Sequence, residues 1–267
     1  MNEIIEVLNS DKKVLVITGA GISTLSGIPD FRGKGGLYTK GTNAEFMLSW
    51  ACFHHNQDMF YDFYKNNMML ENFDCNIIHN TLAKLEEKGK IIGIITQNID
   101  NLHQRAGSKN VVDIHGNGDR YYCTCCQKEF TAEEYKNSNK CNHVEYEYDP
   151  EDSTKVIKEK KCDGIIRPDI VLYHEGYDIE KHKKCLQMVN EAEAILVLGS
   201  SLTVSTVARF IIQFLSNNNR GKELYVVNNQ RTPFDEDCKY GRCSEDLGVL
   251  FEKINEELIE NKNLSLK

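Results

Sequence analysis

The opening Met1-Asn-Glu-Ile-Ile-Glu6 carries no basic run followed by an apolar stretch, so no secretory leader is expected. No apolar segment reaches the roughly 18 to 20 residues that a membrane helix needs. Basic side chains are also in deficit: 32 Lys and Arg stand against 40 Asp and Glu, a net charge of -8. A general nucleic-acid binder needs a basic face to displace counterions, so no direct nucleic-acid partner is expected. Repeats and low-complexity tracts are missing as well. These absences point to a soluble, cytoplasmic chain with no membrane partner. They do not exclude a small acidic ligand, because backbone dipoles can overrule net charge locally.

What is present is ordinary globular material, with 40% hydrophobic and 27% charged residues. A chain of 267 residues can bury about three quarters of the surface its unfolded form exposes. Four short apolar runs read as buried parallel strands: Val14 to Thr18, Ile91 to Thr96, Ala194 to Leu198 and Leu224 to Asn228. Val111 to Ile114 and Ile170 to Tyr173 are weaker candidates. Helical patterns lie between them, over Ile77 to Lys88, Thr206 to Ser216 and Leu247 to Ile259. Strands alternating with helices predict an α/β fold, a Rossmann-like parallel sheet covered on both faces.

Two stretches break the rhythm. Residues 33–75 are helical and aromatic-rich, and residues 119–163 are polar and hold a cysteine cluster. Both read as insertions into one domain spanning 1–267, forming a small helical and zinc-binding lobe. The large lobe then takes approximately 1–32, 76–118 and 164–267. Ligands of such sheets bind beyond the strand C-termini, so a cleft at that edge is the expected site.

Val14 to Thr18 runs directly into Gly19-Ala20-Gly21-Ile22-Ser23. Glycines here permit positive φ and let backbone N–H groups approach a diphosphate. Thr24 stands where a dinucleotide fingerprint would place its third glycine, and no acidic residue closes a second strand about 20 positions on. Taken alone, the loop is equally well a tight turn that binds nothing. The other strand ends carry Thr96-Gln97-Asn98-Ile99-Asp100, Asp113-Ile-His115-Gly116, Gly199-Ser200-Ser201 and Asn228-Asn229. A lone histidine is more often structural than catalytic. On a rim shared with Asn98 and Asp100, His115 is the better candidate.

The motifs Gly-Ala-Gly-Ile-Ser23, Ser26-Gly-Ile-Pro-Asp30-Phe31-Arg32, Thr-Gln-Asn-Ile-Asp100, Leu102-His-Gln-Arg-Ala-Gly107, His115-Gly116 and Ile166-Arg-Pro-Asp-Ile-Val171 together resemble the sirtuins, the family of NAD-dependent protein deacylases. The resemblance runs in order over roughly residues 10–260. It implies that Gly19, Ala20, Gly21, Ser23, Thr24, Asp30, Phe31, Arg32, Gln97, Asn98, Ile99, Asp100 and His115 contact NAD. Gly199, Ser200, Ser201, Asn228, Asn229 and Cys243 would hold its ribose and adenosine half. His115 would be the general base toward a ribose hydroxyl, with Asn98 positioning water or ribose. An acyl-lysine carbonyl oxygen would attack the ribose carbon that nicotinamide leaves, yielding lysine and O-acyl-ADP-ribose. Val171-Leu172-Tyr173-His174-Glu175 resembles the segment that pairs with the peptide backbone, although the family usually has glycine at His174.

Five of the ten cysteines (Cys123, Cys125, Cys126, Cys141 and Cys162) lie between positions 123 and 162, which in a chain without a leader reads as metal before disulfide. Cys123-Thr-Cys-Cys126 is a two-ligand hairpin of the zinc type. The resemblance makes Cys162 the last ligand of a structural zinc, but its usual partner position holds Glu159. Cys141, 20 intervening residues upstream, is the favoured replacement. Substitution by His143 or Cys125, or a degraded empty site, are the alternatives. Sirtuins that prefer acidic acyl groups carry a Tyr-x-x-Arg pair, and the corresponding Tyr61-Asp-Phe-Tyr64 lacks the arginine. Acetyl or a longer apolar acyl group is therefore expected over succinyl. Phe60 and Phe63 are expected merely to pack. ADP-ribosyl transfer and plain NAD hydrolysis are the alternative activities. Oligomeric state is left open by the sequence.

Overall fold

All five residues of β1 (Val14–Thr18) are buried, as in a strand inside a sheet covered on both faces. The remaining strands are β2 (Gly93–Thr96), β3 (Val111–Asp113), β4 (Gly116–Cys123), β5 (Glu129–Phe130) and β6 (Val144–Tyr148). After them come β7 (Val156–Lys161), β8 (Ile166–Ile170), β9 (Ala194–Leu198) and β10 (Glu223–Val227). The computed structural model describes residues 2–30, 43–69, 73–216 and 221–260. They fall into two units, one comprising Met1–Ala44, Glu71–His115 and Gly176–Lys267, the other Glu45–Leu70 and Gly116–Glu175.

The first unit is built on a five-stranded sheet in the order β10-β9-β1-β2-β3, every pair parallel. The period-two alternation of side chains divides the strands between two cores. Val14 and Val16 face Ile78, Leu82, Leu85, Leu250 and Phe251. Leu15 and Ile17 face Cys185, Val189, Phe210 and Phe214 on the opposite side. Helices Ile77–Glu87 and Leu247–Ile254 thus cover one face, and Ile179–Glu191 and Ser205–Ser216 the other. The register pairs Thr18 with both Thr96 and Leu198, Leu198 with Val227, and Thr96 with Asp113. Five C-terminal ends therefore finish level on one rim. The chain runs outward from β1 to β2 and β3 on one side, then returns to β9 and β10 on the other. That order places the topological switch point between β1 and β9.

The second unit holds a three-stranded antiparallel sheet, β5-β4-β8, and a separate β6–β7 hairpin. The expected parallel strand over Ile170–Tyr173 is not formed. The strand is β8, antiparallel to β4, and it ends at Ile170. It was hard to read because it contains Arg167 and Pro168, yet Pro168 sits where a register shift between Asn117 and Tyr121 interrupts the ladder. Proline is tolerated in a sheet at such bulges. Helix Gln57–Asn67 is tied to helix Ala132–Asn137 by Tyr61, whose hydroxyl contacts the backbone oxygens of Tyr135 (2.9 Å) and Lys136 (2.7 Å). Phe60, Phe63 and Tyr64 are buried in the same core, and Tyr121 stacks on Tyr135 at 4.7 Å. Phe60 and Phe63 are packing residues, as expected.

Behind the rim of the first unit, His79 and His103 are buried edge to face, with ring centroids 5.1 Å apart. Burial lowers the pKa of His79 to about 4 and, with His79 alongside, that of His103 to about 3. Both lie below the ordinary value of 6.5, so the unfolded chain binds more protons between about pH 4 and 6.5. Their stabilising contribution is complete above pH 6.5 and is lost as pH falls. Urea unfolding should show a loss of about 2 kcal/mol for each histidine between pH 7 and pH 5, and His79→Gln and His103→Gln should flatten that dependence. An unchanged slope in both variants would contradict the assignment.

Candidate active site and cysteine centre

The loops after β1 and β9 touch backbone to backbone. A Cβ at Gly19 would lie 2.8 Å from the Gly199 carbonyl oxygen, and one at Gly21 would lie 2.7 Å from Gly199 Cα. Gly199 itself has φ +61, and a Cβ there would meet Ile22 N at 2.7 Å. Gly21 N–H donates to Gly199 O at 2.9 Å, and Gly19 N–H to Leu198 O at 3.0 Å. These three glycines therefore serve close approach at the switch point, which the fingerprint spacing alone did not reveal. Ala20–Ser26 follows as a short 3₁₀ helix, with Thr24 Oγ1 donating to Gly21 O at 2.9 Å.

Over this contact the strand ends knit together through side chains. Gln97 Nε2 donates to Ser200 Oγ at 2.6 Å, crossing from the end of β2 to the end of β9. Asn98 Nδ2 donates to Gly19 O (3.2 Å) and to Ser23 Oγ (3.1 Å), and Ser23 Oγ donates to Asp100 Oδ2 at 2.6 Å. Asp100 Oδ1 accepts the Leu102 N–H at 3.1 Å. Ser23, Asn98 and Asp100 are all buried. Burial raises the Asp100 pKa, opposed by the hydrogen bonds from Ser23, Leu102 and Asn98. Backbone strain gathers here too: Asn101 and Leu202 have φ of 58° and 54°. Left-handed backbone costs an ordinary residue about 1–2 kcal/mol. Leu202 is held there by its N–H donating to Ser200 Oγ at 3.2 Å.

His115 follows β3, and its Nδ1 lies 3.1 Å from the Gln97 carbonyl oxygen. A carbonyl can only accept, so Nδ1 carries the proton and Nε2 keeps its lone pair. Burial lowers the His115 pKa below 6.5, partly offset by this hydrogen bond. The ring is thus a neutral base of fixed tautomer at neutral pH. At the far end of the rim, Asn228 N–H donates to Cys243 O at 3.0 Å and Cys243 N–H to Val226 O at 2.8 Å, so Cys243 extends the edge of β10. Asn228 Nδ2 donates to Gln230 O (3.0 Å), Asn229 is exposed, and Ser201 Oγ lies 3.0 Å from Thr203 Oγ1. Asp30 and Ile99 are half-buried. Phe31 and Arg32 lie outside the described residues.

In the second unit, Leu172 to Glu175 form a tight turn closed by Glu175 N–H donating to Leu172 O at 3.0 Å. His174 occupies it with φ 65°, a conformation that favours glycine. A glycine in its place would carry no such strain. The His174 side chain is exposed, and Tyr173 pairs on its inner side with Leu48 and Trp50. The preceding Gly116 is equally constrained: at φ +88, a Cβ would lie 2.1 Å from Asp169 O.

Cys123, Cys126, Cys141 and Cys162 bring their sulfurs within 4.8 Å of one another. The Cys123–Cys162 and Cys126–Cys141 separations are 3.6 and 3.7 Å. Zinc–sulfur bonds of about 2.3 Å in a tetrahedron require sulfurs about 3.8 Å apart, so the four cysteines could hold a structural zinc with no position left for substrate. Burial and the neighbouring thiols push the Cys141 pKa up to about 12, with a backbone N–H opposing. Burial also acts to raise Cys123, but the N–H groups of Cys126 and Cys125 prevail and bring it to about 7. Four thiolates this close require a cation to coexist. Gly164 is obligatory beside them, because a Cβ there would sit 2.4 Å from Cys123 Sγ. The long spacer between the last two ligands is the β6–β7 hairpin, closed at its base by Cys162 N–H donating to His143 O at 2.9 Å. Glu159 is therefore an exposed hairpin residue, and neither His143 nor Cys125 joins the cluster.

Two residues of the quoted motifs have contacts that their motifs do not predict. His103 Nε2 lies 3.0 Å from Thr18 Oγ1 at the end of β1, and Arg167 is a buried cation bonded to Glu175. The only sequence signal for either was its place in a longer motif.

Metal analysis should find about one zinc per chain, retained in His143→Ala and lost in Cys141→Ser. The reverse pattern would overturn the four-cysteine assignment. His174→Gly should raise stability by about 1 kcal/mol in urea unfolding by relieving the left-handed side chain, and a loss of stability would contradict that reading.

Similarity to known proteins agrees with this geometry. Residues 19–206 match the model of the Sir2 family. An NAD-dependent protein deacetylase of Staphylococcus epidermidis is 36% identical over 234 residues, covering 86% of this chain and 87% of that protein. One of the same description from Thermotoga maritima is 39% identical over 238 residues, covering 88% and 89%. The solved structure of a Sir2 histidine-to-alanine variant with deacetylated p53 peptide and 3'-O-acetyl-ADP-ribose superposes with a TM-score of 0.81 at 34% identity, covering 97% of this chain and 98% of that one. A Sir2 structure with p53 peptide and NAD+ gives a TM-score of 0.77 at 35% identity, covering 96% and 98%. With its level strand ends, its histidine of fixed tautomer and its four-cysteine centre, the chain belongs to the Sir2 family.

Proposed function

We propose that this chain is an NAD-dependent protein lysine deacylase of the cytoplasm, converting acyl-lysine and NAD to lysine, nicotinamide and O-acyl-ADP-ribose. The observation that carries the reading is the anchoring of His115: Nδ1 lies 3.1 Å from Gln97 O, which assigns the proton to Nδ1 and leaves Nε2 as the base. Deacylation needs a proton taken from a ribose hydroxyl, whereas NAD hydrolysis and ADP-ribosyl transfer need only glycosidic cleavage. A positioned neutral imidazole therefore favours deacylation.

The donor set on the rim fits a dinucleotide: hydroxyl, carboxamide, carboxylate and imidazole groups suit ribose and nicotinamide, beside glycine-lined backbone. Bound NAD supplies a ribose carbon made electrophilic as nicotinamide departs. Gly19, Ala20, Gly21, Ser23, Thr24 and Gln97 would line the diphosphate and ribose, and the family resemblance adds Asp30, Phe31 and Arg32 to the NAD contacts. Asp100 and Ile99 would face the nicotinamide, where a buried carboxyl can bind the carboxamide. Gly199, Ser200, Ser201, Asn228, Asn229 and Cys243 would take the adenosine half. Asn98 would orient water or ribose, since its carboxamide is already fixed by Gly19 O and Ser23. His115 Nε2 would accept the ribose proton and return it. Val171, Leu172, Tyr173 and His174 would border an extended acyl-lysine peptide. Tyr61 and Tyr64 are committed to the aromatic core and offer no cation for a succinyl group, which supports acetyl or a longer apolar acyl chain.

Mass spectrometry of NAD incubated with and without an acetyl-lysine peptide tests this reading. Equal yields of deacetylated peptide, nicotinamide and O-acetyl-ADP-ribose are expected, all abolished by His115→Ala. Nicotinamide release without peptide would instead indicate hydrolysis or ADP-ribosyl transfer. Because His115 must be neutral to act and its pKa is lowered, kcat/KM should fall on acidification with a midpoint below 6.5. A midpoint above 6.5 would remove His115 from the role of base.

A further inference from the structure

Arg167 carries its charge into the interior of the second unit, with only 4% of its side chain exposed. Its guanidinium makes four hydrogen bonds. NH1 and NH2 donate to the two carboxylate oxygens of Glu175 at 2.7 and 2.9 Å, and NH2 also donates to Ile170 O at 2.7 Å. Nε donates to the Pro168 carbonyl at 3.3 Å. The rings of Phe53, Trp50 and Tyr122 lie 5.0, 5.9 and 6.0 Å from the guanidinium carbon. Such a paired, caged cation is confined to one geometry, because the planar fork matches the carboxylate bidentately.

What the fork holds is a short length of backbone. Glu175 Oε2 also accepts the Leu172 N–H at 2.8 Å, so one carboxylate grips the start of the turn that its own residue ends. Arg167 fixes Ile170 O just before it. On the inner side, Tyr173 N–H donates to Leu48 O (3.0 Å) and Trp50 N–H to Tyr173 O (2.9 Å). The turn between these anchors places His174 at φ 65°, a strained conformation that must be imposed from outside the residue. The Arg167–Glu175 pair supplies that constraint. It pins Ile170, Leu172 and Glu175, while Val171 and His174 lie between the pinned positions.

We propose that Arg167 and Glu175 are positioning residues for peptide affinity, acting through the 170–175 backbone that they hold in shape for an extended acyl-lysine peptide. Glu175 thus serves the substrate edge through its inward carboxylate, as a support. This rests on the deacylase reading. Strand-pairing recognition draws its affinity from backbone groups, so it is sensitive to the register of the receiving edge. Among the described residues, the side-chain hydrogen-bond partners of the pair all lie within 167–175, so its effect falls on peptide binding.

Steady-state kinetics of the full chain with an acetyl-lysine peptide, varying peptide and NAD separately, test the inference. Glu175→Gln keeps the side-chain shape and removes the charge, and should raise peptide KM about tenfold while kcat and NAD KM stay within about twofold. Glu175→Asp keeps the pair and the fold but shortens the reach, and should raise peptide KM by about threefold, with the same split. A support for folding alone would lower the active fraction, reducing kcat with peptide KM unchanged. That pattern, or wild-type peptide KM in both variants, would overturn the proposal. If the wild-type chain fails to turn over the peptide at all, the deacylase reading itself falls and the inference with it.

Discussion

The architecture depends on one close approach, the backbone contact of Gly19 and Gly21 with Gly199. It occurs where the strand order reverses, and no side chain fits: a Cβ at any of the three would come within 2.8 Å of a neighbour. Two strand-end loops can share that space only because all three residues are glycine. Once they do, the ends of β2 and β9 are near enough for Gln97 to reach Ser200, and Asn98 can bond to Gly19 and Ser23. The catalytic geometry proposed for His115 follows from the same contact, since its ring is anchored on the Gln97 carbonyl.

The two units solve the problem of buried polarity in different ways. The parallel-sheet unit keeps its buried His79 and His103 uncharged and surrounds the Asp100 carboxyl with three donors. The second unit buries a charged group and pairs it, Arg167 with Glu175. Unpaired burial of such groups would cost several kcal/mol. The cysteine centre poses the same problem, which a bound metal could solve. Its long spacer does no harm because the β6–β7 hairpin returns the chain to where it left, so Cys141 and Cys162 meet as they would across a short loop.

Legibility in the sequence followed the strength of the hydrophobic signal. β1 and β9 were readable to the residue, because a strand buried on both faces is a continuous apolar run. The rim residues were readable by consequence, since each follows such a run. The hairpin was not, because both of its faces are exposed and neither leaves an apolar stripe. β8 was obscured by Arg167 and Pro168, whose places depend on Glu175 and on a bulge in β4. Glycine roles were legible only in part: the loop suggested phosphate contact, whereas the tightest constraint on Gly19 and Gly21 comes from Gly199, far away in sequence. The constraint on His174 lies in its φ of 65°, which no sequence pattern reports.

The account turns on His115 being a neutral base with its proton on Nδ1, and nitrogen-15 NMR of the histidine side chains observes that state directly. With His115 assigned by comparison with His115→Ala, the account predicts a protonated Nδ1 and an unprotonated Nε2 at pH 7, titrating below 6.5. An imidazolium at pH 7, or the proton on Nε2, would contradict it.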